Sequence, residues 1–547
     1  MNDLLQHLEF LYGADQAPRL LQQTQHLLDG YRPRLPLRDS GLSERDSLLI
    51  SYGDQVQHPT ETPLQTLKRF CDEHLTGIVS GIHILPFYPW TSDDGFSVVD
   101  YRQIDPNLGK WDDVSSMQNF QLMFDGVINH ISSKSDWFQK FLLDDHRYKE
   151  YFITIEGDPD LSQVVRPRAL PLLTSFQTPS GEKKVWTTFS DDQIDLNFKN
   201  PEVLLEILDI LLLYVERGAT FIRLDAIAYL WKEIGTTCIH LSQTHTVIQF
   251  LRAALSKVAP HVQLITETNV PHTDNISYFG DGTNEAQLVY NFALPPLTLH
   301  TFHTGDARIL SNWAKTLTLP SDQTTFFNFL ASHDGIGLNP ARGILSNAEI
   351  DSLVNKVIEH GGLISYKHNA DGSQSPYEMN INYFDALTNP NGHDPLELSV
   401  SRFLAAQAIM LSILGVPGIY FHSLFGSRGW TDGVKQTGRN RTINREKLQF
   451  DELQNQLADE TSLRFKVFNK FSQLLKVRNS SPAFHPHGTQ KILDLHPSVF
   501  AVERISPDGK ACVLCLHNVS LKSASFSTKD GSDIILEPYE ILWLKNI

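Results

Sequence analysis

Short apolar runs recur along this chain, each followed by a stretch of helical periodicity, and that alternation predicts a parallel sheet built from βα units. Eight runs fit the strand pattern: DSLLISYG (46–53), GIHILPFYP (81–89), FQLMFDGVINH (120–130), TFIRLDAI (220–227), VQLITET (262–268), AQLVYNF (286–292), TTFFNFLASHD (324–334) and GVPGIYFHSLFG (415–426). Eight such units predict an α/β fold, a closed (β/α)8 TIM barrel. The active site of such a barrel opens at the carboxyl ends of its strands.

One predicted helix shows how the chain signals its elements. Asn200 can cap it, Pro201 suits its first turn, VLLEILDILLLYVER is apolar nearly all round, and Gly218 ends it. A helix with that profile belongs between the barrel and a further layer. The barrel is expected over 46–139 and 196–485. Between the third strand and this helix the chain is far longer than an ordinary βα loop, which predicts an inserted domain at 140–195. A second excursion, 338–395, contains NADGSQSPYEMN and reads as a mobile lid over the acceptor side. Residues 1–45 read as a peripheral helical extension. Residues 488–547 (KILDL, VFAVERI, ACVLCLHNV, IILEPYEILWL) read as a terminal antiparallel β domain.

Composition narrows the functional classes. Lys and Arg total 46 against 63 acids, a formal net charge of −17, which disfavours a nucleic-acid backbone or an anionic membrane as partner. No run of about 18 uncharged apolar residues occurs, and the first ten residues carry charges where a leader would be apolar, so a soluble cytoplasmic protein is expected. Four cysteines suit a reducing compartment. Cys512 and Cys515 form a CxxC, but on a strand such a pair points to opposite faces, so two packed small residues are expected rather than a metal or redox site.

The candidate chemistry lies in three acids at strand ends: Asp225 in FIRLDAIAY, Glu267 in LITETN and Asp334 after His333 in ASHD. One ionised carboxylate to attack an anomeric carbon, one protonated carboxyl to expel the leaving oxygen and a third negative charge facing a cationic transition state are the parts of glycoside chemistry. Arg223, two residues before Asp225 on one strand, faces the same way and can hold that carboxylate ionised. His130 beside Asn129 at a strand end is a sugar-contact candidate rather than a satisfied core histidine. Asp, Asn and His near 125–130 also suggest Ca²⁺, but no alternating oxygen ligands accompany them, so no metal is expected.

Four motifs in order, DGVINH (125–130), FIRLDAIAY, ITETN and ASHDG, resemble the α-amylase superfamily (glycoside hydrolase family 13) over essentially the whole chain. The resemblance implies Asp225 as nucleophile, Glu267 as general acid/base and Asp334 as transition-state stabiliser, with Arg223, His130 and His333 as donors around the sugar. Within that superfamily HILPFYPWTSDDGF, VWTTFSDDQIDLN, INRE and RPRALP look like the sucrose-phosphorylase branch. They imply Asp93, Phe96, Phe189 and Gln193 at the glucose, Arg445 paired with Asp93 around its far hydroxyls, and Arg168 on phosphate with help from Tyr377. Tyr229 joins the substrate contacts, although Phe96, Phe189 and Tyr229 also have the ordinary reading of aromatics that pack.

The lid sequence SPYEMN with Glu378, the ending GVPGIY and the segment SRGWTDGVKQTGRNR (427–441) look closer to the glucosylglycerate phosphorylases. Arg428, Lys435, Arg439 and Arg441 in that segment are candidate cations for an acceptor carboxylate, weighed against the ordinary reading of solvated charges. The resemblance implies a retaining α-glucoside phosphorylase that moves glucosyl from glucosylglycerate to phosphate through a covalent β-glucosyl aspartate. Sucrose, sucrose 6'-phosphate or glucosylglycerol phosphorolysis, and hydrolysis or transglucosylation, are the alternatives. It also implies no cofactor, inorganic phosphate as co-substrate, small-molecule partners, and a monomer or homodimer.

Overall fold

In a computed structural model of the chain, which describes residues 2–36, 38, 41–167, 170–368, 373–528 and 533–545, eight parallel strands close into a barrel in sequential order. They are Leu48–Ser51, Gly81–Ile84, Gln121–Gly126, Ala219–Leu224, Gln263–Thr266, Leu288–Tyr290, Thr325–Asn328 and Val416–Tyr420. Seven lie inside one of the eight apolar runs, and the fourth begins one residue before its run, at Ala219. The fourth is buried along its whole length, as a strand sheathed by helices on one side and filled by its own barrel on the other must be.

The helix Pro201–Glu216 begins as its sequence predicts, with the Asn200 side chain accepting from the Glu202 amide at 3.0 Å. Its apolar circumference has a cause. The amino-terminal helix Ala17–Tyr31 packs on its outer side, and Asn2–Tyr12 packs on the barrel helix Ser242–Val258. Tyr12 and Tyr31 then donate to the backbone carbonyls of Phe198 (2.9 Å) and Asp209 (3.3 Å), tying the extension to the barrel.

The insertion after the third strand holds a three-stranded antiparallel sheet (Thr154–Ile155, Gly181–Trp186, Leu173–Thr178) and, at its root, the antiparallel pair His130–Ser132 and Gln193–Asp195. The second excursion carries the helix Asn347–Glu359 and the antiparallel strands Leu363–His368 and Gln374–Asn380, the latter also pairing with Ile336–Gly337 just before the excursion. The Gly- and Asn-rich string masks this, because those residues gather between two strands whose alternation is short.

Four antiparallel strands, Thr489–His496, Val499–Ile505, Cys512–Asn518 and Ile541–Lys545, form the terminal sheet, and Ala524–Ser527 pairs with Asp533–Leu536 beside it. Cys515 is buried and Cys512 partly exposed on one of these strands, and all four cysteines are free. Two fully buried arginines tie separated stretches of chain together, Arg478 at the foot of the barrel and Arg504 between this sheet and the barrel. Arg478 donates to the backbone carbonyls of Glu44 (2.5 Å), Gly415 (3.2 Å), Leu411 (3.2 Å), Asp46 (3.3 Å) and Phe484 (3.5 Å). Arg504 donates to His485 (2.9 Å), Ser412 (3.0 Å) and Thr489 (3.3 Å). No helix among the described residues is long and apolar enough to cross a membrane.

Candidate active site

Asp225 and Glu267 follow the fourth and fifth strands directly, so the barrel itself aims both carboxyls across its carboxyl-terminal mouth. Asp334 lies beyond the end of the seventh strand, which stops at Asn328, and needs other support. Asn444 donates to the carbonyls of Ser332 (3.2 Å) and Asp334 (2.9 Å), and Arg445 Nε donates to that of His333 (2.7 Å). The INRE segment thus clamps the main chain that carries the third acid.

All three acids line one cavity with Asp93, Phe96, His130, Phe189, Gln193, Tyr229, Asn269, His333, Tyr377 and Arg441. A larger open groove of about 1130 Å³ lies between the amino-terminal helices and Pro201–Glu216. Its Asp209 and Glu206 are paired with Arg102 (2.5 and 3.1 Å), and none of the acids that line it, Glu150, Glu202, Glu206 and Asp209, follows the end of a barrel strand. The smaller cavity is the candidate.

One wall is a rigid polar cluster. Phe96 stacks on His333, centroids 4.9 Å apart and planes 8° apart. The Phe96 carbonyl accepts from His130 Nε2 (2.8 Å) and Gln193 Nε2 (3.1 Å), and Gln193 also donates to Asp93 (3.2 Å). Phe189 meets Tyr229 edge-on at 5.4 Å. Burial pushes the His333 imidazole down to about 3 against the pull of Asp334, so it is a neutral group at the cavity wall.

Arg223 sets the electrostatics. Its Nη1 lies 2.8 Å from Asp225 and also pairs with Asp125, while its Nη2 is 3.9 Å from Glu267. Burial raises Asp225 to about 8 against the pull of Arg223, helped by the charges of Glu267, Asp125 and Asp334. Burial also raises Glu267, with Arg223 opposing and Asp334 adding to the rise. The two acids titrate as one unit that keeps a proton at neutral pH. The closer approach of Arg223 to Asp225 favours an ionised Asp225 beside a protonated Glu267. Asp334 is the opposite case: burial favours its neutral form, but Arg441 (Nη1–Oδ1 2.6 Å) and Arg445 outweigh it and hold it ionised, well below the usual carboxylate range.

The structure places the remaining expected contacts as follows. Arg445, expected to bracket the far glucose hydroxyls with Asp93, pairs with Asp94 and is not among the residues that line the cavity, whereas Asp93 is. Glu378 is buried behind the wall, both its oxygens accepting from Arg441 at 3.0 and 2.6 Å, so it holds a cation rather than an acceptor. Arg428 is paired with Asp385 and Lys435 with Asp432 (2.9 Å), the latter on an exposed helix face. Arg439 reaches Asp94 at 3.4 Å from a half-exposed position. Of the four candidate cations, all among the described residues, Arg441 alone lines the cavity. Arg168 lies outside the described residues.

Asn269, within 3.5 Å of the Tyr377 hydroxyl, and Lys232 were not singled out by sequence. Lys232 is buried with its ammonium 2.5 Å from Asp195 and 2.8 Å from Asn129. Asp125 is met by His83 (2.7 Å) and Arg223. Asp125 and Asn129 thus find positive partners in Arg223 and Lys232, and no group of three or more His, Cys, Asp or Glu is arranged to hold a metal ion among the described residues.

Comparison with known proteins follows this geometry. Residues 75–336 match the α-amylase catalytic domain. The chain is 52% identical to the glucosylglycerate phosphorylase of Allomeiothermus silvanus, over 99% of this chain and 98% of that one. It is 51% identical to the glucosylglycerate phosphorylase of Spirochaeta thermophila, over 98% and 97%. The solved structure of sucrose 6F-phosphate phosphorylase from Thermoanaerobacter thermosaccharolyticum superposes with a TM-score of 0.75 at 25% identity, covering 90% of this chain and 98% of that one.

Proposed function

The chain belongs to the α-amylase family and is a glucosyl-transferring phosphorylase, and from that premise we propose that it moves glucosyl from glucosylglycerate to phosphate, releasing glycerate and α-glucose 1-phosphate. Asp225 attacks the anomeric carbon as Glu267 gives its proton to the glycerate oxygen, leaving a β-glucosyl ester on Asp225. Phosphate then attacks the anomeric carbon as Glu267 takes its proton, the bond from that carbon to Asp225 breaks to free the carboxylate, and the second inversion restores the α configuration. Asp334, kept ionised, faces the positive charge that develops on the sugar ring in both steps.

The observation that carries the glycerate reading is Arg441 on the cavity wall. Glycerate brings a carboxylate and phosphate is an anion, so one fixed guanidinium serves the leaving group in one half-reaction and the attacking group in the other. Arg168 and Tyr377 are the further candidates for phosphate. No cofactor enters the scheme, and the partners are small molecules.

The test is phosphate release from α-glucose 1-phosphate with glycerate, fructose, fructose 6-phosphate or glycerol as acceptor. Glycerate should give the highest kcat/KM. Fructose ahead of glycerate would make sucrose the better substrate, and free glucose as main product with any acceptor would make the protein a hydrolase.

A further inference from the structure

Asp93 and Asp94 are consecutive non-glycine residues with φ of 54° and 50°, a sparsely populated conformation that persists only where its surroundings enforce it. Gly95 follows at φ 109°, where an added Cβ would meet the Pro86 carbonyl oxygen at 2.8 Å, so the loop cannot shift that way. Asp93 lines the cavity. Asp94 instead grips buried Arg445 and lies 3.4 Å from Arg439. Arg445 donates its Nε to the His333 carbonyl, and its Nη2 stays 3.7 Å from Asp334 Oδ1. Arg441 is 2.6 Å from that same oxygen.

We propose that Asp94 is a positioning residue for glucosyl transfer: it holds Arg445 at 3.7 Å from Asp334, short of the direct contact that Arg441 makes, so that the carboxylate keeps negative charge for the sugar ring. A buried guanidinium deprived of its anion turns to the nearest remaining one. For Arg445 that is Asp334. Asp334 stabilises a cationic ring only with the negative charge its arginines leave exposed, so a closer Arg445 weakens it where charge develops in the transition state. Arg439, on the same carboxylate but half exposed, adds little because solvent screens it. The inference rests on Asp334 as the stabilising carboxylate.

The decisive measurement is steady-state kinetics of full-length Asp94→Asn with α-glucose 1-phosphate and glycerate. The substitution keeps the shape of the side chain and tolerates the left-handed backbone. Turnover should fall about tenfold or more while the donor KM stays within about twofold, and Asp94→Glu should recover most of the loss. Asp94→Ser serves the same purpose if the asparagine chain does not fold. Unchanged kcat, or a loss carried by donor KM alone, would overturn the proposal and leave Asp94 as a loop support. Asp334→Asn separates the two levels: wild-type turnover there removes the stabiliser role itself, whereas an inactive Asp334→Asn beside a normal Asp94→Asn removes only this inference.

Discussion

Arg441 bridges Asp334 and Glu378, with Nη1 2.6 Å from the first and with Nε and Nη2 at 3.0 and 2.6 Å from the second. The guanidinium therefore joins the seventh-strand acid to the sheet of the second excursion, and its position depends on both. Arg441→Ala should raise the glycerate KM by a factor of about 30 or more, since losing one partner of a buried charge pair costs about 2–5 kcal/mol. Glu378→Gln should raise it less, by loosening the guanidinium, and Lys435→Ala should leave it unchanged. Equal effects from all three would remove Arg441 as the acceptor cation.

Asp225→Asn should reduce turnover by several orders of magnitude with the fold intact by circular dichroism. Glu267→Gln should hurt glucosylglycerate far more than glucosyl fluoride, whose leaving group needs little protonation. Equal losses on the two donors would contradict the acid/base role.

The raised acid pair makes two pH predictions. The alkaline limb of kcat/KM should fall near pH 8, where the pair loses its proton, and with glucosyl fluoride Glu267→Gln should lose that limb. For stability, the folded value of about 8 lies above the ordinary 3.8, so the folded state holds an extra proton and loses stability as pH rises between them. Asp225→Asn should accordingly melt higher than the parent at pH 9 and alike near pH 4. Asp334 has the reverse sign: held low by its arginines, it contributes stability above 3.8 that disappears as pH falls.

Lys232→Met should cost about 3–5 kcal/mol in denaturant titration, because Asp195 and the Asn129 oxygen lose a buried cation. Adding Asp195→Asn should recover much of it. A single variant as stable as the parent would show that water already screens this pair.

Local patterns were legible in the sequence and partnerships were not. All eight barrel strands fall on the apolar runs, one of them starting a residue early, because burial on both faces imposes an apolar stretch wherever the strand falls. Asp225 and Glu267 were visible for the same reason, since each acid directly ends such a run. Asp334 was assigned to a longer strand than the one that forms, because Phe329, Leu330 and Ala331 continue the apolar run while the Asn444 and Arg445 clamp holds the chain beyond them outside the sheet. The choice of Asp94 over Asp93 for Arg445 turns on two left-handed residues in a row, which neighbouring identical residues cannot signal. Likewise Arg428 looked as available as Arg441, until the fold set Asp385 beside one and the cavity beside the other.

Arg478 joins three separated stretches of chain through five carbonyl oxygens and no side chain. Every residue has a carbonyl, so this joint places no demand on the identity of Glu44, Asp46, Leu411, Gly415 or Phe484. In a saturation-mutagenesis scan, intolerance at those five positions would report their own packing or backbone angles, while the whole cost of breaking the joint would fall on one codon.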